Sequence, residues 1–220
     1  MKFHTIYSLE DAYYQKAVEF YNKQLDVDFF EDSTITKQSL QNNKTENDYV
    51  LIVGIEKENI ISLATAHYEA TTNSAFLVHL LAVVESNYNE IISQTLNEVE
   101  THLNILSNKV HSRDINFLMI EVPKHDNSIL DNQLIKRRHH VLLENDFEQQ
   151  YEIDYLHPNY TFEETPIHTD LFIKSNIELT KDIYPASVKS NYILKYVFAN
   201  GISREIIYPL LEKMNLRSSL

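Results

Sequence analysis

Between Phe76 and Val84 the chain is almost continuously apolar, and beyond Glu85-Ser86-Asn87 apolar and small residues return at wider intervals, at Ile91, Ile92, Thr95, Leu96, Val99, Leu103 and Leu106. The first run predicts a strand covered on both faces, and the second predicts an amphipathic helix from Tyr88 to about Leu106. Upstream, a strand is expected at Phe3 to Tyr7 and a helix near Glu10 to Leu25 with Tyr13, Ala17, Phe20 and Tyr21 on one face. A short helix follows near Thr34 to Gln41. Tyr49 to Ile55 and Ile60 to Ala70 read as strands joined across the polar Glu56-Lys57-Glu58-Asn59. Downstream, Ile115 to Val122 is an apolar strand stopped by Pro123, and Asp131 to Glu144 reads as a helix. Tyr151 to Leu156 and Ile167 to Lys174 alternate as two further strands, with turn residues around Pro158 and Pro166 between them. The expected order is β-α-α-β-β-β-α-β-α-β-β, an α/β fold.

Beyond Ser175 the spacing changes again. Pro185 can open a helix that turns Val188, Tyr192, Ile193, Tyr196 and Val197 inward, and Asn200-Gly201 gives it a stop. Ser203 can cap a second helix carrying Ile206, Ile207, Leu210, Leu211 and Met214, bent at Pro209. Two short helices cannot bury that much apolar surface between themselves. The hairpin over 176–220 is therefore expected to pack on the domain formed by 1–175 or on a second subunit, which would make a homodimer.

Composition narrows the chemistry. The 220 residues, 43% of them apolar, suffice for one well-filled core without linker or repeat. The absence of cysteine removes disulfides, thiolate metal sites and cysteine nucleophiles. No apolar stretch approaches the roughly 18 residues that span a bilayer, and the N-terminus lacks a signal-peptide pattern, so a cytoplasmic location without membrane contact is expected. A formal net charge of −13 argues against nucleic acid, whose phosphates demand Lys and Arg. Adjacent His139 and His140 point in different directions on a helix, so no metal site is expected. The 2 glycines rule out Gly-rich nucleotide fingerprints. Two local charge runs stand out. Lys136-Arg137-Arg138-His139-His140 is basic, and the stretch holding Asp26, Asp28, Phe29, Phe30, Glu31 and Asp32 is acidic; each is either a solvated face or a binding surface.

The order of elements, with Leu143-Glu144-Asn145-Asp146-Phe147-Glu148 placed before a strand, resembles the GNAT acyltransferase superfamily over roughly residues 1 to 175. The resemblance implies a mixed central sheet flanked by helices and N-acyl transfer from acetyl-CoA or another acyl-CoA to a small-molecule or peptide amine. It implies that Tyr88-Asn89-Glu90-Ile91-Ile92-Ser93 corresponds to the family's pyrophosphate-binding turn. Tyr88 then stands where the family has Arg or Gln, and Asn89, Ile91 and Ser93 stand where it has glycines. Backbone of Leu81, Ala82 and Val83 would meet the pantetheine arm. Arg137 and Arg138 could add phosphate contacts, with the guanidinium well matched to phosphate. Asp28, Phe29, Phe30 and Glu31 would lie where the family shapes its acceptor pocket and could attract an amine.

The family often protonates the leaving thiolate with a Tyr, but Leu142 occupies that position and Asp146 that of the following Gly. His139, three residues before Leu142, is the first replacement; His79 and Tyr88 are the others. Glu121, near the end of an apolar strand, could act as a base or sit as an edge carboxylate. The competing reading is a noncatalytic binding or regulatory protein that keeps the fold without coenzyme A.

Overall fold

The computed structural model describes residues 1–24, 33–41, 48–85, 87–124, 132–158, 165–180 and 182–218. Its strands are β1 (Lys2–Thr5), β2 (Tyr49–Glu56), β3 (Asn59–Glu69), β4 (Ser74–Ala82), β5 (Phe117–Pro123), β6 (Glu148–Gln150), β7 (Leu156–His157) and β8 (Ile167–Ser175). The helices are α1 (Tyr14–Lys23), α2 (Ser33–Leu40), α3 (Tyr88–His111), α4 (Asn132–Glu144), α5 (Ile183–Tyr192) and α6 (Arg204–Lys213), with a π-helical turn at Ile193–Ala199 between the last two.

The sheet runs β1-β2-β3-β4-β5-β8-β6, with β7 also on β8. β1 to β4 form an antiparallel meander, and β4 and β5 are parallel. Their pairing is short. Only Ser74↔Phe117, Ala75↔Leu118 and Phe76↔Met119 are in register, so the two strands part beyond Phe76 and leave a wedge in the sheet. A bulge helps to set this geometry: Thr65 pairs with His79 and Ala66 with Leu77, which leaves Val78 as an extra residue on β4. Leu77, Leu80 and Ala82 therefore join one core cluster while Phe76, Val78 and Leu81 join clusters on the opposite face.

On the first face α3 contributes Ile91, Ile92, Leu96, Val99 and Leu103, and α4 contributes Val141 and Leu142. The i, i+3, i+4 spacing read from the sequence is the stripe that packs here. α4 ends in a Schellman cap: Phe147 N–H donates to Leu142 C=O at 3.1 Å and Asp146 N–H to Leu143 C=O at 3.3 Å. Asp146 is left-handed there, with φ 65°. On the second face Ala17, Phe20 and Tyr21 of α1 cover the β2–β3 side. Tyr184, Val188, Tyr192 and Tyr196 from the C-terminal segment cover Phe76, Phe117, Met119, Leu171 and Ile173.

Two elements differ from expectation. α1 begins at Tyr14 rather than near Glu10, because Asp11 Oδ1 accepts the Tyr13 N–H at 2.9 Å and its carbonyl accepts the Tyr14 N–H at 3.0 Å, a local turn that competes with the helix. The strand expected over Tyr151–Leu156 is interrupted, with ladder pairing at Glu148–Gln150 and Leu156–His157 and none between. Ile153 and Tyr155 are buried as the alternation required, and the Tyr155 carbonyl still accepts the Thr169 N–H of β8 at 3.0 Å.

Candidate functional site

The turn from β4 into α3 lies at the open end of the wedge. Tyr88 is buried, and the Arg137 guanidinium stacks over its ring at 4.8 Å from the centroid. Arg137 Nε donates to Asn89 Oδ1 and Nη2 to the Glu85 carbonyl, each at 3.0 Å. Asn89 Nδ2 in turn reaches Glu144 Oε2 at 3.4 Å, and Asn145 Nδ2 donates to Ser93 Oγ at 2.8 Å. Thus α4 brings a cation to the positive end of the 24-residue α3, where dipole and guanidinium both favour an anion. Glu90 is exposed, and its carboxylate accepts from Gln94 Nε2 one turn further on at 3.1 Å.

Among the described residues none from 83 to 93 has a positive φ. At these described positions the backbone does not call for the left-handed conformations that favour glycine. Ile91 and Ile92 point into the core, so they offer the turn only their backbone. Val83 N–H bonds the Ile61 carbonyl at 2.9 Å toward β3, and the antiparallel alternation then aims the backbone groups of Ala82, rather than those of Leu81 and Val83, at the wedge. Backbone, dipole and Arg137 together fit a phosphate-bearing ligand.

The basic run on α4 divides by depth. Arg137 is half-buried at the turn, while Arg138 is 1% exposed. His139 lies over β8, one strand beyond the wedge, with its ring 5.0 Å from that of Phe172 and Nε2 3.8 Å from Asp170 Oδ2. His140 is exposed and 3.1 Å from Glu144 Oε1. Leu142 is fully buried.

His79 faces the other way, toward α1. Its Nδ1 is 2.8 Å from Thr65 Oγ1 and its Nε2 3.2 Å from the Tyr21 hydroxyl. Burial, reinforced by the charges of Lys195 and Arg138, pushes the imidazole down to about 3, so it is neutral at physiological pH. Burial and Lys195 push His67 down to about 4. A narrow cavity of about 20 Å³ reaches His79 between Tyr14, Ala17, Tyr21 and Thr36, space for about one water.

Glu121 belongs to a second buried cluster. Its Oε1 accepts from Lys195 Nζ and the Tyr196 hydroxyl, and His157 Nδ1 lies 3.1 Å away. Burial alone would raise this carboxyl, but the Lys195 and His157 charges and their hydrogen bonds hold it far below the usual carboxylate range. Burial and the Glu121 charge push the Tyr155, Tyr192 and Tyr196 hydroxyls well up.

The fold thus gathers Tyr88, Asn89 and Arg137 at the turn and sets His79 and Glu121 on the opposite face of the sheet, while His139 stands apart. Asp28, Phe29, Phe30 and Glu31 lie outside the described residues. Sequence reasoning read Tyr21 and Tyr196 only as inward-facing helix residues and overlooked Thr65, His157 and Lys195; a lone cation within Tyr192-Ile193-Leu194-Lys195-Tyr196-Val197-Phe198 was the available signal. Among the described residues no group of three His, Asp or Glu could hold a metal, and no helix is long and apolar enough to cross a membrane.

No protein-family model and no curated protein sequence matches the chain. Solved structures do match. A protein from Bacteroides thetaiotaomicron, described as an acetyltransferase from the GNAT family, superposes with a TM-score of 0.60 at 14% identity, covering 90% of this chain and 99% of its own. The ribosomal-protein-S18-alanine N-acetyltransferase from Escherichia coli gives 0.53 at 10% identity over 82% and 98% of the two chains. An aminoglycoside 6'-N-acetyltransferase complexed with coenzyme A gives 0.53 at 9% identity over 82% and 100%.

Proposed function

We propose that this chain, whose fold is that of the GNAT acyltransferases, transfers an acyl group from an acyl-CoA to an amine carried by a small molecule or peptide. The observation that carries the reading is the parting of β4 and β5 beyond Phe76 and Met119, with the α3 N-terminus and Arg137 at the open end. A parallel pair that separates exposes backbone donors and acceptors along one edge of β4, and an extended pantetheine arm can satisfy them as a missing strand would. Arg137 and the α3 amides would hold the phosphates, and Ala82 the arm.

When bound, the thioester supplies an activated acyl carbon. The chain's own part is to position it, exclude water and handle protons. Leu142 cannot carry a proton. The Tyr21–His79–Thr65 line can pass one by exchanging donor and acceptor roles along its hydrogen bonds, because its imidazole is neutral. The competing noncatalytic reading predicts no cofactor binding, so calorimetric titration with CoA and acetyl-CoA decides between them. Micromolar binding is expected, weakened about tenfold in Arg137→Gln, the scale of one lost charge-assisted hydrogen bond. A flat titration with both ligands would overturn the acyl-CoA reading.

A further inference from the structure

On the face of the sheet covered by the C-terminal segment, Lys195 is 4% exposed. Its ammonium donates to Glu121 Oε1 and lies 4.8 Å from the Phe76 ring centroid and 4.7 Å from that of Tyr196. Phe76 is the last residue of β4 in register with β5, and Glu121 lies two residues beyond Met119, its counterpart on β5. The Lys195 nitrogen therefore sits at the apex of the wedge. The backbone that carries it is a π-helical turn, a rare conformation that occurs often at functional sites, and the residues this turn buries are Lys195 and Tyr196. Glu121 Oε2 is buried without a hydrogen-bond partner among the described residues. An ion pair kept only for structure is expected to satisfy both oxygens of a buried carboxylate.

We propose that Lys195 is an acylation site of this chain, its side-chain nitrogen taking the acyl group from a thioester that enters the wedge. The inference rests on the reading that the wedge admits such a donor. In the resting pair Lys195 is an ammonium and Glu121 a carboxylate. One proton passes from Lys195 Nζ to Glu121, leaving a neutral amine and a neutral carboxylic acid. The nitrogen lone pair forms the new C–N bond, and the C–S bond breaks with its electrons remaining on sulfur. A second proton from nitrogen goes to the sulfur. The products are an acyl-lysine amide, protonated Glu121 and a free thiol, so atoms and charge balance without another reactant. Once Lys195 is acylated, the cation that held the Glu121 carboxyl low is gone, and burial then favours the protonated acid.

Accessibility gives a sharp test, because unassisted acylation follows exposure and Lys2, Lys57 and Lys109 are exposed whereas Lys195 is buried. The full-length chain is incubated with acetyl-CoA and, separately, with S-acetyl-N-acetylcysteamine, a thioester without the nucleotide. Acetylation at each lysine is followed by peptide mass spectrometry. Lys195 is expected to be acetylated at least about tenfold faster than the three exposed lysines, a preference that disappears in the urea-unfolded chain. If CoA binds in the titration above but neither donor modifies Lys195 ahead of the exposed lysines, the acylation site is overturned and the acyl-CoA reading stands. If the small thioester modifies Lys195 preferentially while CoA does not bind, the lysine assignment stands and the acyl-CoA reading falls. Neither binding nor preferential modification overturns both. The measurement uses the unaltered protein, so no variant has to fold.

Discussion

The two faces of the sheet at the wedge solve the problem of charge in opposite ways. On the α3–α4 side the core around Ile92, Leu96, Val99, Val141 and Leu142 is apolar, with Arg138 the one buried charge that α4 carries among its described residues, and Arg137, Asn89 and Glu144 meet at the rim. On the C-terminal face Glu121, Lys195, His157 and Tyr196 are gathered inside the protein, against Phe76. A rim charge is solvated whether or not its partner is present, so removing it is felt mainly by a ligand. An interior charge depends on its partner, so removing it is felt by the whole fold.

The largest expected effect breaks the interior pair. Lys195→Met leaves Glu121 as an uncompensated buried charge and should lower unfolding stability by about 3–5 kcal/mol, read from urea denaturation. The double variant Glu121→Gln with Lys195→Met removes both charges and should recover most of that loss. A double variant as unstable as the single one would mean that packing, not charge, dominates this face.

The next effect is pH dependence. His67 and His79 titrate in the fold at about 4 and about 3, below their ordinary value of 6.5. Between 6.5 and those values the unfolded chain binds more protons than the folded one. Their contribution is therefore complete above pH 6.5 and is lost as pH falls, by about 1.4 kcal/mol per pH unit for each histidine within its window. Glu121, held low by Lys195 and His157, adds to the loss in the same direction once pH drops below the ordinary 4.5 of a free glutamate. Urea midpoints from pH 7.5 to 4.5 should fall steadily in the wild type and less steeply in His67→Gln. Equal slopes would place the titrating groups elsewhere.

The smallest stability effect belongs to the rim. Arg137→Gln should change unfolding stability by less than about 1 kcal/mol, since the guanidinium is half-buried at the rim and water can replace it at Asn89 and the Glu85 carbonyl. A loss as large as that of Lys195→Met would erase the contrast between the two faces. Such a result would make Arg137 a structural clamp between α3 and α4 rather than a ligand contact.

Local physics made much of this protein legible from its residues. The apolar run of β4 and the helical spacing of α3 are periodic within a few residues of one another, and the burial pattern follows them. The polar Glu56 to Asn59 connection between β2 and β3 was equally plain, and Lys57 and Glu58 close it with positive φ. Glu121 was visible as a carboxylate in an apolar strand. Its meaning was not, because Lys195 and Tyr196 lie 74 and 75 positions away in the chain and His157 lies 36 away. The same holds at the turn, where Arg137 meets Asn89 across 48 positions. Periodicity reports which face of an element is buried, but not which segment buries it. That choice came from the tertiary structure: the extra residue Val78 on β4, the short pairing of β4 with β5, and the C-terminal segment laid across the face where Glu121 needed a cation. A buried charge stabilises only the arrangement that brings its partner to it, so the pairing becomes readable only once the chain has folded back on itself.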